Sequence, residues 1–195
     1  MKILIACERS GIVREAFRWK GLEAYSCDIV PSEIPSMYHI KDDVLNHLND
    51  GWDMMIGFPP CTYLASSGAR WFKDRKKEQT DAVNFFMKLI NAPIPRIAIE
   101  NPIGIMSTLY RKPDQIIQPW QYGHGETKAT CLWLKNLPLL KSTDIVKGRK
   151  HRIHSMSPSP HRGIDRSRTY QGVADAIVAQ WGFGILPRRW RVDFR

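Results

Sequence analysis

Three residues able to do acid–base or nucleophilic work fall just past three apolar runs of strand length. Asp28 follows residues 23–27, Cys61 follows residues 52–56, and Glu100 follows residues 96–99. In an open parallel sheet the carboxyl ends of the strands share one edge, so groups distant in sequence meet there. A thiolate and a carboxyl group facing one cleft suit attack on an electron-poor ring: the thiolate adds to a ring carbon while the acid protonates a ring nitrogen. Cys61 is the sharpest signal, because it follows Gly57-Phe58-Pro59-Pro60. Two consecutive prolines cannot continue a sheet ladder, so the chain leaves the strand in a stiff, extended turn. A lone cysteine is more often a buried structural thiol, but the Pro-Pro-Cys context and the matching Glu100 favour a nucleophile. An acid after the second strand, here Asp28, is where a cofactor ribose is often held.

The elements that must position these groups can be read from the apolar pattern. Residues 2–6 form a strand, and residues 11–20 read as a helix, with Val13, Phe17 and Trp19 available for packing, that Gly21 stops. Residues 23–27 form a second strand, Pro31 and Pro35 break the stretch after it, and a short helix is expected near 44–48. Residues 73–77 read as a charged loop. Residues 79–91 form an amphipathic helix whose Val83, Phe86, Met87 and Ile90 recur at i, i+3, i+4 and i+7. Strands at 96–99 and 130–134 and a last helix at 170–181 complete the set. Alternating strands and helices imply an α/β fold with a doubly wound, mostly parallel sheet. At 195 residues the chain reads as a single domain, residues 1–195. Residues 135–168, rich in Pro, Ser, Lys, Arg and His, read as an irregular basic excursion from it.

The net charge is +10, and residues 147–195 hold eleven lysines and arginines against three aspartates, a local excess of +8. Such a concentration is the footprint of polyanion binding; the alternative is a solubilising face or a mobile tail. Four scattered cysteines without a CxxC pair suit a reducing cytoplasm. No stretch approaches a membrane span and residues 1–5 read as a strand start rather than a signal peptide, so a cytoplasmic protein with no membrane partner is expected. His151, His154 and His161 lie near no thiol, and no metal site is expected. The tryptophans other than Trp71 are expected in the core or at its rim.

Phe58-Pro59-Pro60-Cys61 resembles the Pro-Cys nucleophile loop of the DNA cytosine-5 methyltransferases, and Ile99-Glu100-Asn101-Pro102 resembles their Glu-Asn-Val motif. Within that family the chain looks like the small forms of phages and prophages. The resemblance implies a Rossmann-like, S-adenosylmethionine-dependent methyltransferase fold, with Cys61 as nucleophile, Glu100 on the target cytosine and Asn101 orienting Glu100 or bonding the base. The family's paired arginines are replaced by Lys128 and Thr130, and a lysine offers a point charge rather than a fork. Ala6-Cys7-Glu8-Arg9-Ser10-Gly11 stands where the first cofactor loop would be, which implies S-adenosylmethionine contacts at Cys7, Glu8, Ser10 and Gly11. By the same resemblance Asp28 and Ile29 would hold the ribose side and Asp43 and Val44 the adenine. Pro59, Gly172 and Val173 would close the pocket. Residues 66–71 would be a flexible loop closing on substrate, with Ser67, Arg70 and Trp71 as phosphate and base contacts. Arg149, Arg152, Arg166 and Arg168 would be further DNA contacts.

The implied activity is methyl transfer from S-adenosylmethionine to carbon-5 of cytosine in DNA, through a covalent Cys61 adduct at carbon-6. Reaching that carbon requires a base flipped from a duplex or a single-stranded partner. It would take place in a bacterial or phage-infected cell. The family's large target-recognition region is reduced here to residues 135–168. Sequence readout needs side chains held against base edges, so the short segment implies weak specificity, help from a partner, or a substrate other than ordinary duplex DNA. Two alternatives stay open: the same chemistry on a nucleotide, RNA or with a modified donor, and a non-catalytic DNA-binding relic.

Overall fold

The computed structural model describes residues 1–183, and at Arg70, Trp71 and His154 it describes the backbone alone. Seven strands, β1 (Lys2–Ala6), β2 (Glu23–Asp28), β3 (His39–Lys41), β4 (Met54–Gly57), β5 (Arg96–Pro102), β6 (Gln115–Ile117) and β7 (Thr130–Lys135), form one sheet. Their order is β3-β2-β1-β4-β5-β7-β6. The run from β3 to β5 is parallel, and β7 is antiparallel to both β5 and β6. The expected doubly wound, mostly parallel, Rossmann-like α/β architecture is therefore what the chain adopts.

Both faces of the sheet are covered, and the period of two along the strands sorts the residues between them. Ile3, Ile5, Met54, Ile56, Ala98 and Leu132 pack on one face beneath α1 (Ile12–Trp19) and α6 (Gln171–Ile177). Leu4, Ala6, Met55, Ile97, Ile99 and Trp133 pack on the other beneath α2 (Lys76–Ile90), which contributes Phe86, Leu89 and Ile90. Within α1, Val13 and Phe17 are buried as expected, but Trp19 is 86 % exposed: two residues past Phe17 it is about 200° round the helix, on the side away from the sheet. Among the described residues, no helix is long and apolar enough to cross a membrane.

Two further expectations change. The loop expected at 73–77 is helical, divided between a 3-10 segment, Ser66–Asp74, and the first turn of α2. That 3-10 segment also replaces the open flexible loop expected at 66–71. After α3 (Met106–Leu109), the excursion at 135–168 carries two short helices, α4 (Arg152–Ser155) and α5 (Arg162–Ser167). It is bonded to the segment before β7 by bridges between Tyr122 and Asp144 and between Glu126 and Lys150. Arg188, Arg189, Trp190, Arg191 and Arg195 lie outside the described residues.

Candidate active site

The thiol and the acid are delivered by neighbouring strands, β4 and β5, and the loops that follow are stitched together. Phe58 N–H still donates to the Ala6 carbonyl at 2.9 Å, so the chain leaves the sheet only at Pro59. The buried Asn101 donates from Nδ2 to the Pro59 carbonyl at 3.0 Å. A proline carbonyl freed from the ladder thus finds its donor on the acid's strand. Beyond Cys61, the Leu64 and Ala65 N–H groups both donate to the Cys61 carbonyl, at 3.0 and 2.9 Å. Ser66 donates from its backbone and from Oγ to the Ile103 carbonyl, each at 3.0 Å, and Ile105 N–H donates to the Leu64 carbonyl at 2.9 Å. Gly104 is required at this seam, since a Cβ there would run into the Leu64 carbonyl. Cys61 stands exposed on this rigid double loop.

Glu100 faces the α6 side of the sheet, in a recess of about 510 Å3 counting the open space at its mouth. Phe58, Pro119, Lys128, Thr130, Thr169 and Val173 line the recess with it. Burial pushes the Glu100 carboxyl up from its ordinary value, against the opposing pull of Lys128 and the Thr130 side chain. Although Cys61 is exposed as a residue, the protein packed around its sulfur raises the thiol, the charge of Glu100 raises it further, and Lys128 and Arg166 draw it down. Cys61, Glu100 and Lys128 therefore sense one another. Lys128 is itself fixed, its N–H donating to Gln118 Oε1 at 3.0 Å and its Nζ to the Arg168 carbonyl at 3.5 Å. Gly172, at the start of α6, is pressed against the Tyr122 carbonyl and donates its N–H to His124 Nε2 at 3.0 Å, while Val173 lines the recess.

At the ends of β1, β2 and β3, Cys7, Asp28 and Asp43 gather. Cys7 takes a left-handed backbone with φ 58°, a conformation uncommon for any residue but glycine. Burial raises its thiol first, and the charges of Asp28, Cys27 and Asp43 add to the rise. Asp28 accepts from Val30 N–H at 3.1 Å and Asp43 from Leu45 N–H at 3.0 Å, while Ile29 is exposed beside them. Glu8 does something the sequence did not foretell. It is buried and turns into the start of α1, accepting from the Val13 and Arg14 N–H groups at 2.6 and 3.2 Å, with Ser10 Oγ at 3.3 Å. The helix terminus that would receive a cofactor phosphate is therefore already filled by a carboxylate. The donor set suits a phosphate-free, positively charged cofactor, and S-adenosylmethionine is one. Glu8 and Ser10, expected as direct cofactor contacts, are instead bonded to the start of α1, and Val44 is part of the core.

Among the arginines expected on phosphate, Arg166 approaches Cys61 closely enough to influence it. Three others are engaged within the protein. Arg149 stacks on Trp120 at 3.8 Å and donates to the Val146 and Gly148 carbonyls. Arg152 pairs with Glu126 at 2.8 Å, and Arg168 pairs with Glu33 at 3.0 Å and Asp165 at 3.3 Å. Ser67 is exposed on the 3-10 segment, and the side chains of Arg70 and Trp71 lie outside what is described. Residues that sequence reasoning missed are Thr169 in the recess, Gln118 beneath Lys128, and the buried Arg14. For Arg14 a signal existed, an arginine beside Val13 on the packed side of a short helix.

Neither a protein-family model nor a curated protein sequence matches the chain. Among solved structures, the Entamoeba histolytica methyltransferase EhMeth is similar at 13 % identity and a TM-score of 0.48, over 82 % of this chain and 60 % of that one. A triple mutant of Spodoptera frugiperda DNMT2 is similar at 14 % identity and a TM-score of 0.45, over 77 % of this chain and 55 % of that one. The chain thus spans between 55 % and 60 % of the length of these two proteins.

Proposed function

We propose that the chain transfers a methyl group from S-adenosylmethionine to carbon-5 of cytosine in nucleic acid, with DNA as the first substrate to test. The observation that carries this reading is the mutual influence of Cys61, Glu100 and Lys128 across two stitched loops. Asp28, Asp43, Ile29 and the Cys7–Gly11 turn would hold the cofactor, which when bound supplies an electrophilic methyl group.

The chain's own residues supply the rest. A carboxyl group raised by burial is suited to give a proton or a hydrogen bond to ring nitrogen 3 of cytosine. Once Glu100 is neutral, the charge that holds the Cys61 thiol up is gone, and Lys128 and Arg166 favour the thiolate. Addition of that thiolate at carbon-6 makes carbon-5 electron-rich. Lys128, as a point charge, is placed for the base carbonyl or a phosphate. Loss of the carbon-5 proton to water, departure of Cys61 as thiolate and return of the ring-nitrogen proton to Glu100 restore the ring and the acid. Asn101 keeps the nucleophile loop in register with the acid.

The test is covalent capture. An oligonucleotide containing 5-fluorocytosine, incubated with protein and cofactor, should raise the intact protein mass by one oligonucleotide, and Cys61→Ala should abolish the gain. Absence of any adduct with the wild-type chain on every nucleic acid tried would sink the reading. One observation favours a variant of it: among the described residues, three of the arginines expected on DNA, Arg149, Arg152 and Arg168, are engaged within the protein. A cytosine in a single strand, RNA or a nucleotide is then the substrate, and labelled-methyl transfer to each in parallel separates the cases.

A further inference from the structure

The loop between β2 and β3 is built the wrong way round for a surface loop. Ile29 is 72 % exposed, Val30 36 % and Ile34 40 %, yet the backbone and polar groups beneath them are tied into the protein. Glu33 is tied to Arg9 and Arg168, and two further ties run to one buried side chain. Arg14, on α1, has no exposure to solvent. Its Nη2 donates to the Ile34 carbonyl at 2.8 Å, and its Nη1 donates to Ser26 Oγ at 2.7 Å and to Ser32 Oγ at 3.2 Å. Its Nε pairs with Glu15 at 2.7 Å, so the buried charge is compensated.

The bonding continues through His39. Its Nε2 faces the Val30 carbonyl at 2.9 Å, an acceptor only, so that nitrogen carries the proton. Nδ1 then accepts from the Ser26 hydroxyl at 2.9 Å, and Ser26 accepts from Arg14. From Arg14 to Val30 every donor points the same way along the chain of bonds. Gly11 belongs to this arrangement: a Cβ there would lie 2.7 Å from Arg14 Nη2 and 3.1 Å from Ser32 Oγ. The glycine of the first loop makes room for a guanidinium.

We infer that Arg14, with Ser32 and His39, is the positioning device that holds residues 28–34 as a rigid apolar ledge for the flat ring of the cofactor. The inference rests on the proposed cofactor use, but its structural half stands apart from it. Arg14 is suited to the task because its planar fork reaches two hydroxyls and a carbonyl at once, which a lysine cannot reproduce. It touches no reacting atom and acts through the ledge alone.

The experiment compares wild type with Ser32→Ala and Arg14→Lys, reading amide hydrogen exchange across residues 29–36, the Kd for S-adenosylmethionine by calorimetry, and kcat against KM. Ser32→Ala removes one bond to the ledge and leaves the core intact, so it remains informative where Arg14→Lys fails to fold. The expected result is faster exchange confined to 29–36, a Kd for S-adenosylmethionine raised about three- to tenfold, a matching rise in KM for the cofactor, and kcat within about twofold at saturation. Unchanged exchange in the loop overturns the inference, as does faster exchange with an unchanged Kd. A kcat and KM that fall and rise together with the folded fraction would make Arg14 merely structural and overturn it equally. Wild-type protein that binds no S-adenosylmethionine refutes the cofactor reading, and the exchange result still shows whether Arg14 orders the loop.

Discussion

Replacing Glu8 with glutamine should change stability by an amount that moves in the variant's favour as the pH rises. The carboxyl is 3 % exposed and is pushed up from the ordinary 4.5 to about 7, because burial outweighs the lowering by the Val13 and Arg14 N–H groups, the Arg14 charge and Ser10. Below about pH 4.5 the folded and unfolded chains both hold this proton, and nothing is lost. Between there and about pH 7 the unfolded chain releases it while the folded chain keeps it, so stability falls as pH rises. At 1.36 kcal/mol per pH unit, the gap between 4.5 and about 7 amounts to about 3 kcal/mol at full effect. Glutamine keeps the size and has nothing to ionise; its oxygen serves one of the two N–H groups, while its NH2 stands where the second carboxyl oxygen faced the other, a cost that does not vary with pH. Urea unfolding of both proteins at steps from about pH 5 to about pH 8 measures the difference. The advantage of Glu8→Gln should grow by about 2–3 kcal/mol across that range. A difference that stays flat within about 0.5 kcal/mol would mean the carboxylate is ionised throughout, and the reasoning that burial dominates at this helix start would be wrong.

Other expectations follow from the same geometry. Glu100→Gln should abolish turnover yet speed alkylation of Cys61 by about two- to fivefold near neutral pH, because the charge that raises the thiol is gone; Lys128→Met should slow it. Asn101→Ala orphans the Pro59 carbonyl and should cost about 1–3 kcal/mol in urea unfolding, with kcat falling more than cofactor affinity. Gly172→Ala drives a methyl group into the Tyr122 carbonyl and should cost about 2 kcal/mol or more, seen as a lowered Tm and a loosened α6.

The edge that carries the candidate site was legible because its signals are local. Pro59-Pro60 forces the chain out of β4 immediately before Cys61, and the apolar alternation places Asp28 and Glu100 at strand ends whatever the rest of the fold does. Strands β3 and β6 escaped because three residues carry no period. Arg14 escaped because an arginine on a helix is ordinarily a solvent-facing residue, and its partners Ser26, Ser32 and Ile34 come from another element. The arginines at 149, 152 and 168 read as free cations for a similar reason. Composition supplies their charge but not their partners, and the Arg168–Glu33 pair spans 135 residues.

The cover that α6 and the Val178–Gly182 turn give to α1 and β1 bears on how the chain is made. Ile3, Ile5, Val13 and Phe17 emerge from the ribosome well before Val173, Ile177 and Trp181, which share their core. A Cβ on Gly182 would lie 2.8 Å from a methyl carbon of Leu22, so the late segment seats closely against the early one. The first helix thus waits through most of synthesis with its apolar side uncovered. Such long-range closure slows folding and leaves intermediates that aggregate. Nascent chains halted before about residue 170 should be the ones that chaperones hold.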